Sequence, residues 1–258
     1  MQTSFYNALF ASLPQERNLA NISNNLSNVN TTGYKKEKFA FKDMVQRNLS
    51  DIMDPRAAIR EESPWPQPNL IARCEMDSGV IDFSEGAMVQ TSSPLDLAIQ
   101  GEGFFSVETD AGTAYTRNGH FSLSAEGELI TGGGDRVLAG GGPLIFPAGT
   151  KVVSVGEDGS LFADGAEVGR LDIVTFADPQ VLEKAGGNLF RLKQDAAGQE
   201  GEFQGRVMQG FLEGSNVDVV QEMVGMMTTL RTFESYQKVI KSTQEMDERA
   251  IRDVGTTK

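Results

Sequence analysis

Val219-Val220-Gln221-Glu222-Met223-Val224-Gly225-Met226-Met227-Thr228-Thr229-Leu230-Arg231-Thr232-Phe233 opens the stretch that decides the fold. From Asn216 to about Asp253 no proline intervenes and Gly225 is the only glycine, so a continuous helix there would reach roughly 55 Å at about 1.5 Å per residue. Nothing else in a chain of this size is wide enough to bury that length. Apolar residues recur at Val219, Met223, Met226, Leu230 and Phe233, an alternating four-then-three spacing that makes a narrow seam of the coiled-coil kind. The seam weakens to Gln237, Ile240 and Gln244 while Tyr236, Val239, Thr243 and Met246 take over beside it, the drift expected of a straighter helix. Ser215, three residues ahead of Asp218, is a capping signal for its start.

The other end of the chain mirrors this pattern. Phe5, Leu9 and Leu13 precede Pro14, and Leu19, Ile22, Leu26 and Val29 follow at spacings of three, four and three, with Gly33 as the expected stop. The opposite face is Asn21, Ser23, Asn24, Asn25, Ser27, Asn28 and Asn30, mediocre helix formers that compete for backbone hydrogen bonds. Such a helix needs a partner surface, either the C-terminal helix of its own chain or helices of neighbouring copies.

The 258 residues suffice for one large domain or two small ones. A net charge of −13, with no basic run longer than Lys35, Lys36 and Lys38, argues against nucleic acid and anionic membranes as partners. The single cysteine, Cys74, excludes an intrachain disulfide and a cysteine-rich metal site. There is no window of eighteen apolar residues and no N-terminal signature of a cleaved secretory signal. A cytosolic protein, or one exported with its N-terminus intact, would satisfy this.

The middle is glycine-rich and reads as β-structure. After a short helix ending near Met53, Pro55, Pro64, Pro66 and Pro68 surround Trp65 in an extended connector. Val80 to Phe83 and Ala87 to Thr91 form an expected hairpin around Glu85-Gly86, and Ala114 to Arg117 pairs with His120 to Leu123 around Asn118-Gly119, the signature of a type I′ turn. Glu126-Gly127, Asp158-Gly159 and Asp164-Gly165 repeat the device. Arg136 to Ala139 and Leu171 to Phe176 are further strands. The fold class is α+β: terminal helices pairing as a coiled-coil-like layer, and a central all-β domain of hairpins.

The residues that could carry chemistry are few. Gly101-Glu102-Gly103 lacks the third glycine of a dinucleotide fingerprint, since position 106 is Ser106, and Phe104-Phe105-Ser106-Val107 reads as a strand where that motif needs a helix. His120 is the only histidine and has no orienting carboxylate or nucleophile near it in sequence. Asp158 and Asp164 are turn residues, and Asp96, Glu102, Asp110 and Asp172 are scattered. Asp96, inside the apolar run Pro94 to Ile99, is expected to be satisfied by backbone donors. The sequence offers no catalytic, cofactor or metal site.

Asn24-Asn25-Leu26-Ser27-Asn28-Val29-Asn30-Thr31-Thr32-Gly33-Tyr34-Lys35 resembles the N-terminal signature of the bacterial flagellar rod and hook proteins, with Ser27 where alanine is usual. Leu95 to Phe105 and Tyr115 to Phe121 are similar to that family's central signatures, and Gly210 to Asp218 with Met223 to Tyr236 to its C-terminal segment. The matches run in family order from about residue 20 to 250.

The resemblance implies a non-enzymatic subunit of the flagellar basal-body rod spanning the periplasm. Such a subunit assembles with itself and other rod subunits to transmit torque. It passes unfolded through the flagellar type III export apparatus without a cleaved signal, binding no nucleic acid and inserting in no membrane. Chain length favours a rod over a hook subunit, and Thr229 to Lys241, with no Ala-Leu-Trp opening after Met1, resembles the proximal rod form more than the distal. A β-rich secreted enzyme or an adhesin are the alternatives from other classes. The expected segments are 1–35 (first assembly helix), 36–80 (connector), 81–208 (β-rich outer domain) and 209–258 (second assembly helix). The expected assembly surface is Leu19, Ile22, Leu26, Val29, Val219, Met223, Met226, Leu230, Phe233 and Ile240, and the family motif residues are Asn24, Asn25, Leu26, Asn28, Thr32, Gly33 and Tyr34.

Overall fold

The computed structural model describes residues 2–39, 41–47, 70–76, 79–193 and 200–255. The chain divides into two compact units, one drawn from 1–26, 37–80 and 219–258 and the other from 27–36 and 81–218. Helices at both ends and β-structure between them make the chain α+β.

The helical unit contains α1, Gln2–Ser27, and α2, Val219–Gly255. Although a proline inside a helix removes a hydrogen bond, α1 runs through Pro14 without a break, and Pro14 is buried. It ends at Ser27, six residues before Gly33, because the run Asn28 to Asn30 stops it; Thr31 N–H donates to the Asn28 carbonyl at 3.1 Å as the chain turns. Gly33 is therefore not the helix stop expected from the sequence. Nor does Ser215 cap α2: its Oγ accepts from Val217 N–H at 3.3 Å, closing a turn ahead of the helix.

Among the described residues the two helices touch at Asn18 and at Ile22. Asn18 Nδ2 donates to Thr229 Oγ1 at 3.2 Å, and a Cβ on Gly225 would lie 3.7 Å from Ile22 Cδ1. Four residues forward on α1 correspond to four backward on α2, so the helices run antiparallel where they touch. In the same unit Phe41–Arg47 and Leu70–Met76 form an antiparallel ribbon in unbroken register from Phe41↔Met76 to Arg47↔Leu70. The short helix expected there is a strand up to Arg47, because cross-strand pairing outweighs local propensity. The remainder of that expected helix and the prolines around Trp65 lie outside the described residues.

The second unit is built on a sheet whose neighbours run Leu182–Gly186, Leu189–Leu192, Gly112–Thr116, Phe104–Thr109, Arg136–Ala139, Leu129–Thr131 and Phe121–Leu123. Phe104–Thr109 is its central strand and is buried on both faces. Phe105 and Val107 enter one core with Leu97, Ile99, Phe121 and Val137, while Phe104 enters another with Tyr115, Phe176 and Phe190. Alternation thus divides Phe104-Phe105-Ser106-Val107 between two apolar layers.

Three of the expected turns close hairpins: Glu126-Gly127 joins Phe121–Leu123 to Leu129–Thr131, Asp158-Gly159 joins Val153–Val155 to Ser160–Ala163, and Asp164-Gly165 joins the latter to Ala166–Arg170. Asp164 and Gly165 both have positive φ, 51° and 87°, which is the two-residue type I′ geometry. Asn118-Gly119 does not form one. Gly112–Thr116 pairs with Phe104–Thr109 and Leu189–Leu192 instead, and Gly119 is glycine because a Cβ there would collide with the Leu97 carbonyl, whose own N–H donates to the Gly119 carbonyl at 3.0 Å. The hairpin expected around Glu85-Gly86 is also absent, since Met88–Gln90 takes Phe211–Glu213 as its antiparallel partner. Arg206–Gln209 pairs likewise with Leu97–Gln100. These two closures bring 209–218 into the same compact unit as 81–208, and the turn at 27–36 joins it as well.

Phe105 is fully buried and meets the Phe121 ring edge-on, with centroids 5.2 Å apart. Phe105→Ala should lower the unfolding free energy of this unit by about 3–5 kcal/mol, read by chemical denaturation. A loss below about 1 kcal/mol would mean that this layer is not the core.

Candidate functional site

The motif residues span the last turn of α1 and the turn that follows it. Asn25, 1% exposed, donates through Nδ2 to the Glu37 carbonyl at 3.0 Å and accepts the Glu37 N–H on Oδ1 at 3.3 Å. Its amide thus imitates a strand neighbour, and Asn21 Nδ2 adds a second bond to the same carbonyl at 2.7 Å. The asparagines that look like poor helix formers clamp the chain where it turns back along the helix. Asn24 is exposed, Asn28 is half-buried, and Asn28 Oδ1 accepts from Thr31 Oγ1 at 3.1 Å.

In the β unit the same motif continues as a buried turn. Gly33 has φ 68°, in the left-handed region, and a Cβ on it would lie 2.6 Å from the Arg117 carbonyl carbon. Its N–H donates to the Glu213 carbonyl at 2.8 Å. Thr32 Oγ1 donates to Asn118 Oδ1 at 2.8 Å, and Asn188 Nδ2 donates to the Thr32 carbonyl at 3.0 Å. Tyr34 is buried with Lys184 Nζ 4.6 Å from its ring centroid. Asn216 Nδ2 donates to the Asp82 carbonyl at 2.6 Å while its Oδ1 accepts from Lys36 N–H at 2.8 Å, so one side chain joins the outgoing and returning strands. The signatures around Gly33, Arg117 and Glu213, far apart in sequence, are one junction.

The expected assembly residues differ in exposure. Ile22 is buried, while Leu19, Leu26, Val29, Val219, Met226, Phe233 and Ile240 are half-buried. Met223 is 49% and Leu230 41% exposed. Among the described residues of α2, Thr229 and Thr243 are the most covered, with Met226, Phe233 and Tyr236 half-buried. Val220, Met223, Val224, Met227 and Leu230 lie on the solvent side as an apolar stripe that spacing alone assigned only in part. No helix of the described residues is long and apolar enough to cross a membrane.

His120 has a carboxylate partner that sequence separation concealed: its Nδ1 is 2.8 Å from Asp96 Oδ1. Asp96 is therefore satisfied by a side chain rather than by the backbone donors expected. The imidazole is 61% exposed, and among the described residues no hydroxyl or thiol hydrogen-bonds to it, so the pair lacks a nucleophile to activate. A cleft of about 770 Å³ contains Asp158 and Asp172, yet both carboxylates are engaged in folding the chain. Asp172 accepts from the Gly140 and Gly141 N–H groups at 2.9 and 2.7 Å. Asp158 accepts from Ser160 Oγ at 2.7 Å, and the bonds from Ser160 hold its pKa below the usual value, the opposite of what a general acid needs. No cluster of three or more metal-binding side chains occurs among the described residues.

Gly33→Val should destabilise the β unit by about 2 kcal/mol or more, because left-handed strain adds to overlap with Arg117 and Asn118. Urea denaturation measures it, and a loss below about 0.5 kcal/mol would show that the turn relaxes freely.

Three family models match the chain in order: "Flagella basal body rod protein" over residues 6–35, "Flagellar hook protein FlgE/F/G D1 domain" over 98–163 and "Flagellar basal body rod FlgEFG protein C-terminal" over 208–253. The chain is 37% identical over 260 residues to flagellar basal-body rod protein FlgG of Bacillus subtilis, covering 95% of this chain and 97% of the relative. It is 34% identical over 257 residues to flagellar basal-body rod protein FlgF of Caulobacter vibrioides, covering 99% of each. It is also 32% identical to FlgG of Borreliella burgdorferi, over 95% of this chain and 96% of the relative. The motif residues 24–34, the strands between 104 and 163 and most of α2 fall within the three matched segments, and the chain belongs to the flagellar basal-body rod protein family.

Proposed function

We propose that this chain is a structural subunit of the flagellar rod that assembles through its terminal helices, with the β unit as an outer body. The observation that carries the reading is the exposed stripe Val220, Met223, Val224, Met227 and Leu230 on a helix of 37 residues that already contacts α1 through Asn18 and Ile22. A stripe on the far side of a paired helix is available to further helices, and burying it contributes roughly 25 cal/mol per Å² of apolar surface removed from water. In this reading α1 and α2 form a coiled-coil-like inner layer, in which Leu19, Ile22, Leu26 and Val29 with Val219, Met223, Met226, Leu230, Phe233 and Ile240 line the contacts within and between copies. The layer stacks on further copies and other rod subunits and transmits torque. Passage through the flagellar type III export apparatus, and a final position in the rod across the periplasm, belong to the same reading.

Within the family we assign the proximal, FlgF-type position. The relatives named FlgF from Caulobacter vibrioides, Rhizobium meliloti and Mesorhizobium japonicum match over 99% of both chains, whereas those named FlgG leave 5–10% of this chain unmatched. We give this end-to-end correspondence more weight than the few per cent higher identity of one FlgG relative. Restored motility in a strain lacking FlgF, but not in one lacking FlgG, is the expected result; the reverse would reassign it.

Leu230→Asp or Met227→Asp should leave the melting of the β unit unchanged while abolishing incorporation into basal bodies, because an unpaired charge buried between helices costs several kcal/mol. Normal incorporation would remove the stripe from the assembly surface.

A further inference from the structure

Glu213 is faced by two buried cations and forms a hydrogen bond with only one. Lys35 Nζ donates to Glu213 Oε1 at 2.6 Å and to the Ser84 carbonyl at 2.6 Å, and Gly86 N–H donates to the same Oε1 at 2.9 Å. Arg117 Nε stands 3.7 Å from the other oxygen, Oε2, beyond hydrogen-bond range. Its two Nη groups donate to the Ile99 and Gly101 carbonyls at 3.3 and 2.7 Å. Arg117 Nε and Glu213 Oε2 are both buried, and neither has a hydrogen-bond partner among the described residues. The side chains of Lys35 and Glu213 are fully buried and that of Arg117 is 4% exposed. Burial lowers the pKa of both cations, and the Glu213 charge opposes that shift in each. Glu85 faces both cations from the neighbouring segment, its carboxylate accepting from Gly101 N–H at 2.6 Å.

A buried donor and a buried acceptor left without hydrogen bonds are costly, so a rearrangement that pairs them recovers part of that cost. We propose that Lys35 and Arg117 are alternative partners of Glu213, which makes residues 27–36 a detachable latch on the β unit. With the latch docked, Lys35 holds Oε1 and Arg117 waits. When residues 27–36 leave, they take Lys35 with them, and Arg117 closes the 3.7 Å gap to form an Nε–H···Oε2 bond. The buried carboxylate then keeps a counter-cation in both states. Phe211–Glu213 pairs with Met88–Gln90 and Arg206–Gln209 with Leu97–Gln100, none of them within residues 27–36, so in this proposal these strands stay paired while the latch is open.

Hydrogen exchange on the full-length protein and its variants tests this segment by segment. Lys35→Met should speed exchange at 31–36 by about tenfold or more, while 97–100 and 206–209 change by less than about twofold. Lys35→Met/Arg117→Met should strip protection from 97–100 and 206–209 by more than the product of the two single effects, because the carboxylate then has no cation. Adding Glu213→Leu to that pair should restore the protection. The proposal is overturned if Lys35→Met alone strips 97–100 and 206–209, if the double variant equals the product of the singles, or if Glu213→Leu restores nothing. The last result would trace the loss to the carbonyl contacts of Arg117.

Discussion

The junction where the chain enters and leaves the β unit depends on the contact between Gly33 and the Arg117-Asn118 backbone. At φ 68°, with no room for a Cβ, Gly33 lets its N–H reach the Glu213 carbonyl at 2.8 Å. That single approach brings the outgoing chain beside the returning one and places Lys35 against Glu213. The pairing of Met88–Gln90 with Phe211–Glu213 and the Asn216 bridge between Lys36 and Asp82 surround the same junction. Entry to and exit from the β unit are thereby fixed as neighbours, and the chain leaves it into the helical unit on either side.

Buried charge makes this junction selective as well as tight. Lys35, Arg117 and Glu213 are held among carbonyls and amides in a place where a misplaced residue would strand a charge. Lys36, next in sequence, keeps its side chain partly solvated, 4.0 Å from Asp82. A slip of one residue along the turn would exchange their environments. Gly33, which no other residue replaces without strain, opposes the same slip through the backbone.

Local signals in the sequence carried much of the fold. Periodicity gave α2 and its start to within a few residues, and glycine turns gave the hairpins at Gly127, Gly159 and Gly165, because a two- to five-residue loop specifies its own geometry. Long-range closures were not legible. Asn118-Gly119 has the residues of a type I′ turn but serves another purpose, since Gly119 makes room for the Leu97 carbonyl and Asn118 accepts from Thr32. The Asp96–His120 pair and the Arg117–Glu213 contact join residues 24 and 96 positions apart, which no spacing rule registers. Of the candidate assembly surface, the stripe on α2 was legible as a period but not as an orientation: Thr229 rather than Leu230 lies under α1, because Asn18 hydrogen-bonds to the threonine hydroxyl.

Helix–helix contact within the chain leaves Met223 and Met227 about half exposed, and in the proposed rod further copies or other rod subunits cover them. Oxidative footprinting of these two methionines, comparing isolated protein with purified basal bodies, tests that claim most directly. Oxidation of both should slow by about tenfold or more on assembly, because a methionine packed between helices is closed to the reagent. Equal oxidation in the two samples would contradict the account and place the contacts between subunits elsewhere on the molecule.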